Sequence, residues 1–121
     1  MKLSSLPTLG RSGLPVSPLA LGATTFGNKA WGLSDEVSSS IFNAYVDAGE
    51  TSSIPPMCMA EVESEKLLGG YIAERKLRDR PVLATKYSFN GGNGRKNLYR
   101  ALEGSLRRLQ TDYIDLYWMH V

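Results

Sequence analysis

Two side chains that could do chemistry stand at the ends of short apolar runs. Lys86 follows the run "VLAT", and His120 follows the run "YIDLYWM". An ammonium group and an imidazole can hydrogen-bond a polar substrate and take part in proton transfer. From spacing alone, a solvated surface cation and a satisfied histidine at a rim are the simpler interpretations. Whether Lys86 and His120 belong to a functional site therefore depends on the secondary-structure elements that hold them.

Both residues are predicted to end strands of a parallel sheet. Apolar runs at 19–24, 82–86 and 113–121 predict short buried strands, and amphipathic helical patterns lie between them. The residues Gly10 to Gly13 between two apolar-alternating runs predict an N-terminal β-hairpin. Strands that alternate with single helices imply an α/β fold with right-handed crossovers. Periodicity alone leaves open whether the sheet is doubly wound or closes as a (β/α) barrel.

Three helices are predicted from their caps and apolar stripes. Ser34 is the predicted N-cap of the first helix and Gly49 its stop, while Ser64 and Glu65 are predicted to open the second. The third helix follows the loop "NGGNG". The predicted buried stripes are Val37, Ile41, Ala44, Tyr45 and Ala48 in the first helix, Leu67, Leu68, Tyr71 and Ile72 in the second, and Leu98, Ala101, Leu102, Leu106 and Leu109 in the third.

Composition excludes several classes of protein. The 121 residues are 42% hydrophobic and 21% charged, which is typical of a globular domain and not of a disordered chain. A net charge of +2 is too small for a nucleic-acid-binding surface, and no apolar stretch is long enough to cross a bilayer. We expect a cytoplasmic protein without nucleic-acid or membrane partners. The single cysteine, Cys58, agrees with a reducing compartment, and we predict no metal site.

Three stretches together resemble the aldo-keto reductases, a family of (β/α) barrel enzymes that use NADPH to reduce aldehydes and ketones. They are "LGRSGLPVSPLALGATTFG", "LATKYSFN" and "SLRRLQTDYIDLYWMH", and they occur in the family's order. The resemblance implies the N-terminal part of a (β/α)8 TIM barrel preceded by a β-hairpin. The chain would hold the hairpin, strands 1 to 4 and helices 1 to 3, and would end with strand 4.

The resemblance also assigns four catalytic positions. The family uses an Asp and a Tyr from the second strand, a Lys from the third and a His from the fourth, and Lys86 and His120 match the last two. The first two belong to a motif resembling "NFIDTADVY", which falls on residues 51–59 when counted back from "SEKLLG" without a gap. The chain reads "TSSIPPMCM" there, so Ile54 replaces the Asp and Met59 replaces the Tyr.

A shift of reading frame explains this departure. The bases GGA AAC TTC ATC GAT ACC GCC GAT GTG TAT G encode Gly-Asn-Phe-Ile-Asp-Thr-Ala-Asp-Val-Tyr. Without the first G the same bases read Glu-Thr-Ser-Ser-Ile-Pro-Pro-Met-Cys-Met, which is residues 50–59. The alternative to a frameshift is a genuinely divergent loop.

The two prolines of this stretch also affect its expected backbone. Pro55 and Pro56 remove two backbone donors, so we expect irregular backbone, or a strand of at most three residues, around Ser52–Ile54.

The resemblance implies further contacts around the first strand. The loop "GATTFGNKAWG" makes Gly22, Ala23 and Thr24 the expected contacts of an NADPH cofactor. Trp31 is then an expected wall of the substrate pocket, with core packing as the alternative. The glycines and cations of 91–97 could hold a phosphate, although a loop that caps the third helix is the simpler interpretation.

Two functions follow from the sequence. The first is an NADPH-dependent oxidoreductase that transfers hydride to a small carbonyl substrate, here a fragment that is inactive as written because the Asp and Tyr are missing. The alternative is a non-catalytic half-barrel module that binds an anion or a protein partner. In either case an open sheet edge at 113–121 predicts self-association.

Overall fold

Strands and helices alternate along the whole described chain. The computed structural model describes residues 7–50, 57–60, 62–87 and 92–119. Its elements are β1 (Ala20–Gly22), α1 (Asp35–Glu50), β2 (Met57–Ala60), α2 (Val62–Glu74), β3 (Val82–Tyr87), α3 (Arg95–Leu109) and β4 (Leu116–Met119). This order confirms the α/β prediction, and the structure supplies the strand-helix pairs of a (β/α) barrel.

The four strands form one parallel sheet in the order β1-β2-β3-β4. One row of the ladder joins Gly22 to Met59, Met59 to Ala84, and Ala84 to Leu116. Alternate residues of a strand point to opposite faces. The sheet therefore has an outer face that the helices cover and an inner face that carries Val82, Ala84 and Lys86.

The predicted N-terminal hairpin is confirmed. Thr8 and Pro15 form an antiparallel bridge, and the amide of Leu9 donates to the carbonyl of Leu14 at 2.9 Å. Gly10 and Gly13 have positive φ angles in the turn, a conformation that favours glycine. The hairpin covers one end of the inner face: Val16, Val82 and Ala84 are buried together, with Leu9, Leu14 and Leu116 packed against them.

The outer face carries the larger core. Its members come from the first loop, the helices and β3, and they include Phe26, Phe42, Val46, Leu68, Tyr71, Ile72, Leu83 and Leu109. The predicted buried side of α2 is confirmed for Leu68, Tyr71 and Ile72, with Leu67 half-buried. In α3, Leu109 is buried and the other predicted stripe residues are half-buried.

The predicted buried stripe of α1 is wrong. Of its members only Tyr45 packs, half-buried, against the core, and the helix instead buries Ser38, Phe42 and Val46. The exposed members are Val37, Ile41, Ala44 and Ala48. The exposed pair Val37 and Ile41 and the buried series Ser38, Phe42 and Val46 have the same four-residue spacing. The two series lie about 100° apart around the helix axis, so periodicity alone does not show which of them is buried. The choice follows from the sheet, because the large ring of Phe42 fills the space against the ring of Tyr71, 5.6 Å away. The cap is confirmed, since the Ser34 hydroxyl accepts from the Val37 amide at 3.3 Å.

The start of α2 also differs from the prediction. The helix begins at Val62, so Ser64 and Glu65 lie inside it and are fully buried. The stretch just after the two prolines, which the sequence does not predict as a strand, forms β2 (Met57–Ala60), and α2 follows from Val62. Parallel neighbours on both sides of Met57–Ala60 supply hydrogen-bond partners that the local sequence does not reveal. Residues Ser52–Ile54, for which we predict irregular backbone or a strand of at most three residues, lie outside the described residues.

Among the described residues, no helix is both long and apolar enough to cross a membrane.

Candidate functional site at the carboxyl rim of the sheet

Lys86 lies near the carboxyl end of β3 and is half-buried. It shares its face of the strand with Ala84 and Val82, which are buried under the hairpin. The hairpin covers the amino end of this face, so Lys86 lies towards the carboxyl ends of the strands. Barrel enzymes place their active sites at that end.

Trp118 is the ladder partner of Lys86 on β4. Its side chain is 41% exposed, and Leu116, two residues earlier on the same face, is half-buried. Trp118 is not among the predicted site residues, although the alternation of Leu116, Trp118 and His120 in "LYWMH" indicates that it shares a strand face with His120. His120 itself lies outside the described residues, so its place beside Lys86 stays a prediction.

The predicted cofactor contacts follow the end of β1. Gly22 ends the strand and is exposed, and a β-carbon added there would meet nothing within 4 Å. Thr24 is also exposed, whereas the side chain of Ala23 is fully buried in the outer core. Any contact at Ala23 would therefore come through its backbone. The open space at Gly22 can admit a ligand close to the main chain.

Trp31 lies on the surface of the loop between β1 and α1. Its indole is 65% exposed, so the alternative of core packing is wrong. The Asn28 side-chain oxygen holds this turn by accepting from the amides of Ala30, at 3.0 Å, and Trp31, at 3.4 Å. A role for Trp31 as a pocket wall stays a prediction.

Of the two positions that we predict to be altered from the family's catalytic residues, the structure describes the backbone of one. Met59 is the third residue of β2 and pairs with Gly22 and Ala84. Met59 is thus one residue before the carboxyl end of β2. This strand lies between β1, which precedes the predicted cofactor loop, and β3, which carries Lys86. Ile54 lies outside the described residues.

Beneath Lys86, a buried polar cluster supports the outer side of β3. Glu65 is fully buried and accepts from the Thr85 hydroxyl at 2.7 Å and from Arg108 Nε at 2.5 Å. Thr85 directly precedes Lys86, so the cluster ties the end of β3 to both α2 and α3. The sequence pattern predicts Glu65 at the start of the second helix and does not indicate its burial. Its burial is decided by the arginine two elements away.

A second charged pair fixes the starts of β3 and β4. An Asp115 carboxylate oxygen accepts from the Leu83 amide at 2.8 Å and from Arg78 at 3.0 Å. The Arg78 guanidinium also lies 3.5 Å above the ring centre of Tyr113, a cation-π contact. These contacts set the spacing of the two strands whose far ends carry Lys86 and Trp118.

A cavity of about 520 Å³ lies outside this site, between the first loop and α2. Its lining includes Lys29, Leu33, Asp35, Lys66 and Leu67, and none of the predicted site residues belongs to it. Beside it, the Tyr71 hydroxyl donates to the Asp35 carboxylate, and burial together with this bond raises the pKa of Tyr71. The described residues include no group of three or more His, Cys, Asp or Glu side chains that could hold a metal ion.

The model of the Aldo/keto reductase family matches residues 18–121, which is most of the chain. This chain belongs to the aldo-keto reductase family. Among curated members, a putative aryl-alcohol dehydrogenase of Saccharomyces cerevisiae is 33% identical over 98% of this chain. An aldo-keto reductase of Bacillus subtilis is 34% identical over 93%, and norsolorinic acid reductase B of Aspergillus parasiticus is 35% identical over 97%.

Solved aldo-keto reductases share the fold. An enzyme from Klebsiella pneumoniae, solved with NADP and acetate, is 31% identical over 89% of this chain with a TM-score of 0.71. A putative aldo-keto reductase from Pseudomonas aeruginosa is 28% identical over 98% with a TM-score of 0.80. These neighbours are (β/α)8 barrels.

The chain spans only part of its relatives. It covers 37% of each of the three curated proteins above, 36% of the Klebsiella structure and 49% of the Pseudomonas structure. The activity of the whole relatives therefore reaches this chain only as a proposal.

Proposed function

We propose that this chain carries the N-terminal part of an NADPH-dependent carbonyl reductase site and that, as written, it is inactive. In this proposal it corresponds to the hairpin, strands 1 to 4 and helices 1 to 3 of the barrel. The observation that carries the proposal is Lys86, half-buried on the inner face near the carboxyl end of β3 and paired with Trp118 of β4.

The reaction needs a proton donor and a group that stabilises negative charge on the carbonyl oxygen. In the family the donor is a tyrosine, whose pKa a neighbouring ammonium lowers towards neutrality. Lys86 would take that ammonium role. His120, two residues after Trp118, would hydrogen-bond the carbonyl oxygen and orient the substrate. Trp31, exposed in the loop after β1, would line the substrate pocket.

The residues at the end of β1 fit a nicotinamide cofactor. Gly22 and Thr24 are exposed at the rim, and the space above Gly22 is open. With Ala23 contributing backbone only, these residues would hold the nicotinamide end. The reduced cofactor, when bound, supplies the hydride. The K. pneumoniae relative was solved with NADP, which supports this cofactor class.

The altered positions account for the proposed inactivity. Ile54 has no carboxylate to hold Lys86, and Met59 has no acidic proton, so the proton donor is absent at the assigned positions. Loss of a proton donor of this kind costs about 10² to 10⁴ in rate.

We propose a one-base frameshift in the gene as the cause of the altered residues 50–59, with the frame restored between Ala60 and Ser64. A gene sequence that no single insertion or deletion converts to the family motif would exclude the frameshift.

A chimera tests the catalytic proposal. Residues 1–121 would replace the corresponding part of the Bacillus subtilis aldo-keto reductase, which then supplies the remaining strands. One version keeps 51–59 as written, and a repaired version reads Asn-Phe-Ile-Asp-Thr-Ala-Asp-Val-Tyr there. We expect the repaired chimera to oxidise NADPH with an aldehyde panel about 10² to 10⁴ times faster than the unrepaired one.

Lys86→Met in the repaired chimera is the matched control. It keeps the length of the side chain and removes the ammonium, so we expect activity to fall back towards the unrepaired level. Equal activity of the repaired and unrepaired chimeras, or full activity of Lys86→Met, would refute the assignment of the site. Circular dichroism of each chimera separates loss of chemistry from loss of fold.

A further inference from the structure

The cavity between the first loop and α2 is formed entirely by residues within the range 27–67. The loop supplies one wall, and the start of α1 and one side of α2 supply the rest. Its volume of about 520 Å³ lies within the range of pockets that hold small organic molecules. None of the residues assigned to the carbonyl reductase site lines it, so the cavity needs a separate explanation.

Backbone hydrogen bonds fix the wall that the loop supplies. The Leu33 amide donates to the Thr25 carbonyl at 2.8 Å, and the Gly27 amide donates to the Leu33 carbonyl at 3.1 Å. Gly27 has a φ angle of +70°, and a β-carbon added there would lie 2.7 Å from Cδ1 of Leu67. The loop therefore approaches α2 closely at one margin of the cavity. A wall that is already ordered lowers the entropy cost of binding a ligand.

Three polar side chains of the lining are donors without partners. The ammonium groups of Lys29, on the loop, and Lys66, on α2, form no ion pair or hydrogen bond with another described residue. The Asn28 side-chain oxygen accepts from the amides of Ala30 and Trp31, whereas its NH₂ group donates to no described residue. Groups of this kind can only donate, so they require a ligand that accepts.

The carboxylate of the lining does not neutralise the two ammonium groups. Asp35 accepts a hydrogen bond from the Tyr71 hydroxyl and forms no ion pair with Lys29 or Lys66. With two lysines and one aspartate, the described lining carries a formal charge of +1. A concave surface of this sign attracts an anion.

The remaining side chains of the lining are apolar. Leu33 and Leu67 are half-buried and pack against the outer core. An inorganic anion would leave their exposed surface in contact with water. A ligand that joins an anionic group to an apolar body would instead cover this surface, which stabilises the complex.

We propose that this cavity binds a small organic carboxylate with an apolar body, such as an aryl carboxylate. The carboxylate group accepts from the ammonium groups of Lys29 and Lys66 and from the Asn28 NH₂ group. The apolar body covers Leu33 and Leu67. This site is separate from the rim around Lys86, and binding requires neither the nicotinamide cofactor nor an intact reductase site.

Titration of the ¹⁵N-labelled 121-residue chain with benzoate tests the proposal, because amide chemical shifts report the position of the ligand. We expect saturable shifts at residues 28–35 and 66–67, with a dissociation constant of about 1 mM or below. No saturable shifts, or shifts centred on residues around Lys86 instead, would overturn the proposal.

Two fragments of benzoate separate the contributions of charge and apolar body. Benzyl alcohol keeps the ring without the charge, and acetate keeps the carboxylate without the ring. Each should bind at least about tenfold more weakly than benzoate, because each satisfies only one part of the lining. Equal affinity of benzyl alcohol would show that the ammonium groups do not select the ligand. Equal affinity of acetate would show that the leucines do not contribute, and either result would overturn the proposal.

Substitution of the lysines tests the residues themselves. Lys29→Met and Lys66→Met remove one ammonium group each at exposed positions, and each should raise the dissociation constant of benzoate about five- to tenfold. Lys96→Met is the matched control, since Lys96 is an exposed lysine in the first turn of α3 and does not line the cavity. It should leave the dissociation constant within about twofold.

Two outcomes of this comparison would overturn the assignment. An equal effect of Lys96→Met would reduce the binding to general attraction by a positive protein. Unchanged affinity in both cavity variants would remove the lysines from the site. The amide spectrum of each variant shows whether it is folded, so a loss of binding is not confused with a loss of structure.

Discussion

The two faces of the sheet differ in how fully they are covered. On the outer face, Leu83 packs completely buried among the residues of all three helices. On the inner face, the hairpin covers Val82 and Ala84, and Lys86 near the carboxyl end is only half-buried. Successive residues of β3 thus point to opposite faces, so that Leu83 packs in the outer core while Lys86 lies at the proposed site. Stability should depend on the outer face, and the proposed site can change without loss of the fold.

The largest effect is expected at the buried ion pair of the outer face. Arg108→Met leaves the carboxylate of Glu65 buried without its partner, which typically costs about 3–5 kcal/mol. The matched control is Arg75→Met, because Arg75 pairs at 2.7 Å with Asp47, whose side chain is 58% exposed. Loss of that exposed pair should cost about 1 kcal/mol or less. If urea unfolding gave similar losses of unfolding free energy for the two variants, burial of Glu65 would not explain the larger loss expected for Arg108→Met.

A leucine deletion on each face compares the two directly. Leu83→Ala removes a fully buried side chain from the outer core and should lower the free energy of unfolding by about 2–5 kcal/mol. Leu116→Ala makes the same deletion at a half-buried position on the inner face, and we expect a loss of about 1 kcal/mol. Both are measured by urea unfolding at one protein concentration. A larger loss for Leu116→Ala would reverse the assignment of the main core.

Two adjacent glycines in α2 sharpen the same contrast. A β-carbon at Gly69 would lie 2.6 Å from the Leu109 Cα and 2.7 Å from the Arg108 carbonyl oxygen, so Gly69→Ala should cost about 1–3 kcal/mol. At Gly70 nothing lies within 4 Å, so Gly70→Ala should stabilise the helix by about 0.5–1 kcal/mol. Opposite shifts in melting temperature are expected. Equal shifts would mean that α2 and α3 are not in close backbone contact.

The smallest effect is a dependence of stability on alkaline pH. Burial and the bond to Asp35 raise the pKa of Tyr71 above its usual value near 10. Above pH 10 the unfolded chain loses this proton first, so stability is fully present below pH 10. It should then fall by up to about 1.4 kcal/mol per pH unit. Tyr71→Phe should remove this component of the slope, which urea unfolding at several pH values would measure. An unchanged slope would contradict the buried bond.

Much of the fold was predictable because it depends on short-range patterns. The glycines of the hairpin turn, the Ser34 cap and the apolar run of β3 each specify their structure within a few residues. The position of Lys86 near the end of a strand followed from the same run. Near neighbours in sequence supply most of the physical constraint in these cases.

Other features could not be predicted because distant residues decide them. Two stripes of α1 have equal periodicity, and only contact with Tyr71 selects Phe42 over Ile41. Glu65 reads as a helix-start charge until Arg108, far along the chain, accounts for its burial. Strand β2 is short and follows two prolines, and its pairing with both neighbours overrides that weak local signal.

The sequence by itself determined the alternation of strands and helices, the hairpin, the family and the lysine near the rim. Only the tertiary structure decided which helix faces are buried, where β2 pairs, and that the outer core and the inner rim share one strand. The reason is physical: caps, turns and periodicity act over a few residues, whereas burial and strand pairing depend on groups that the chain brings together only after folding.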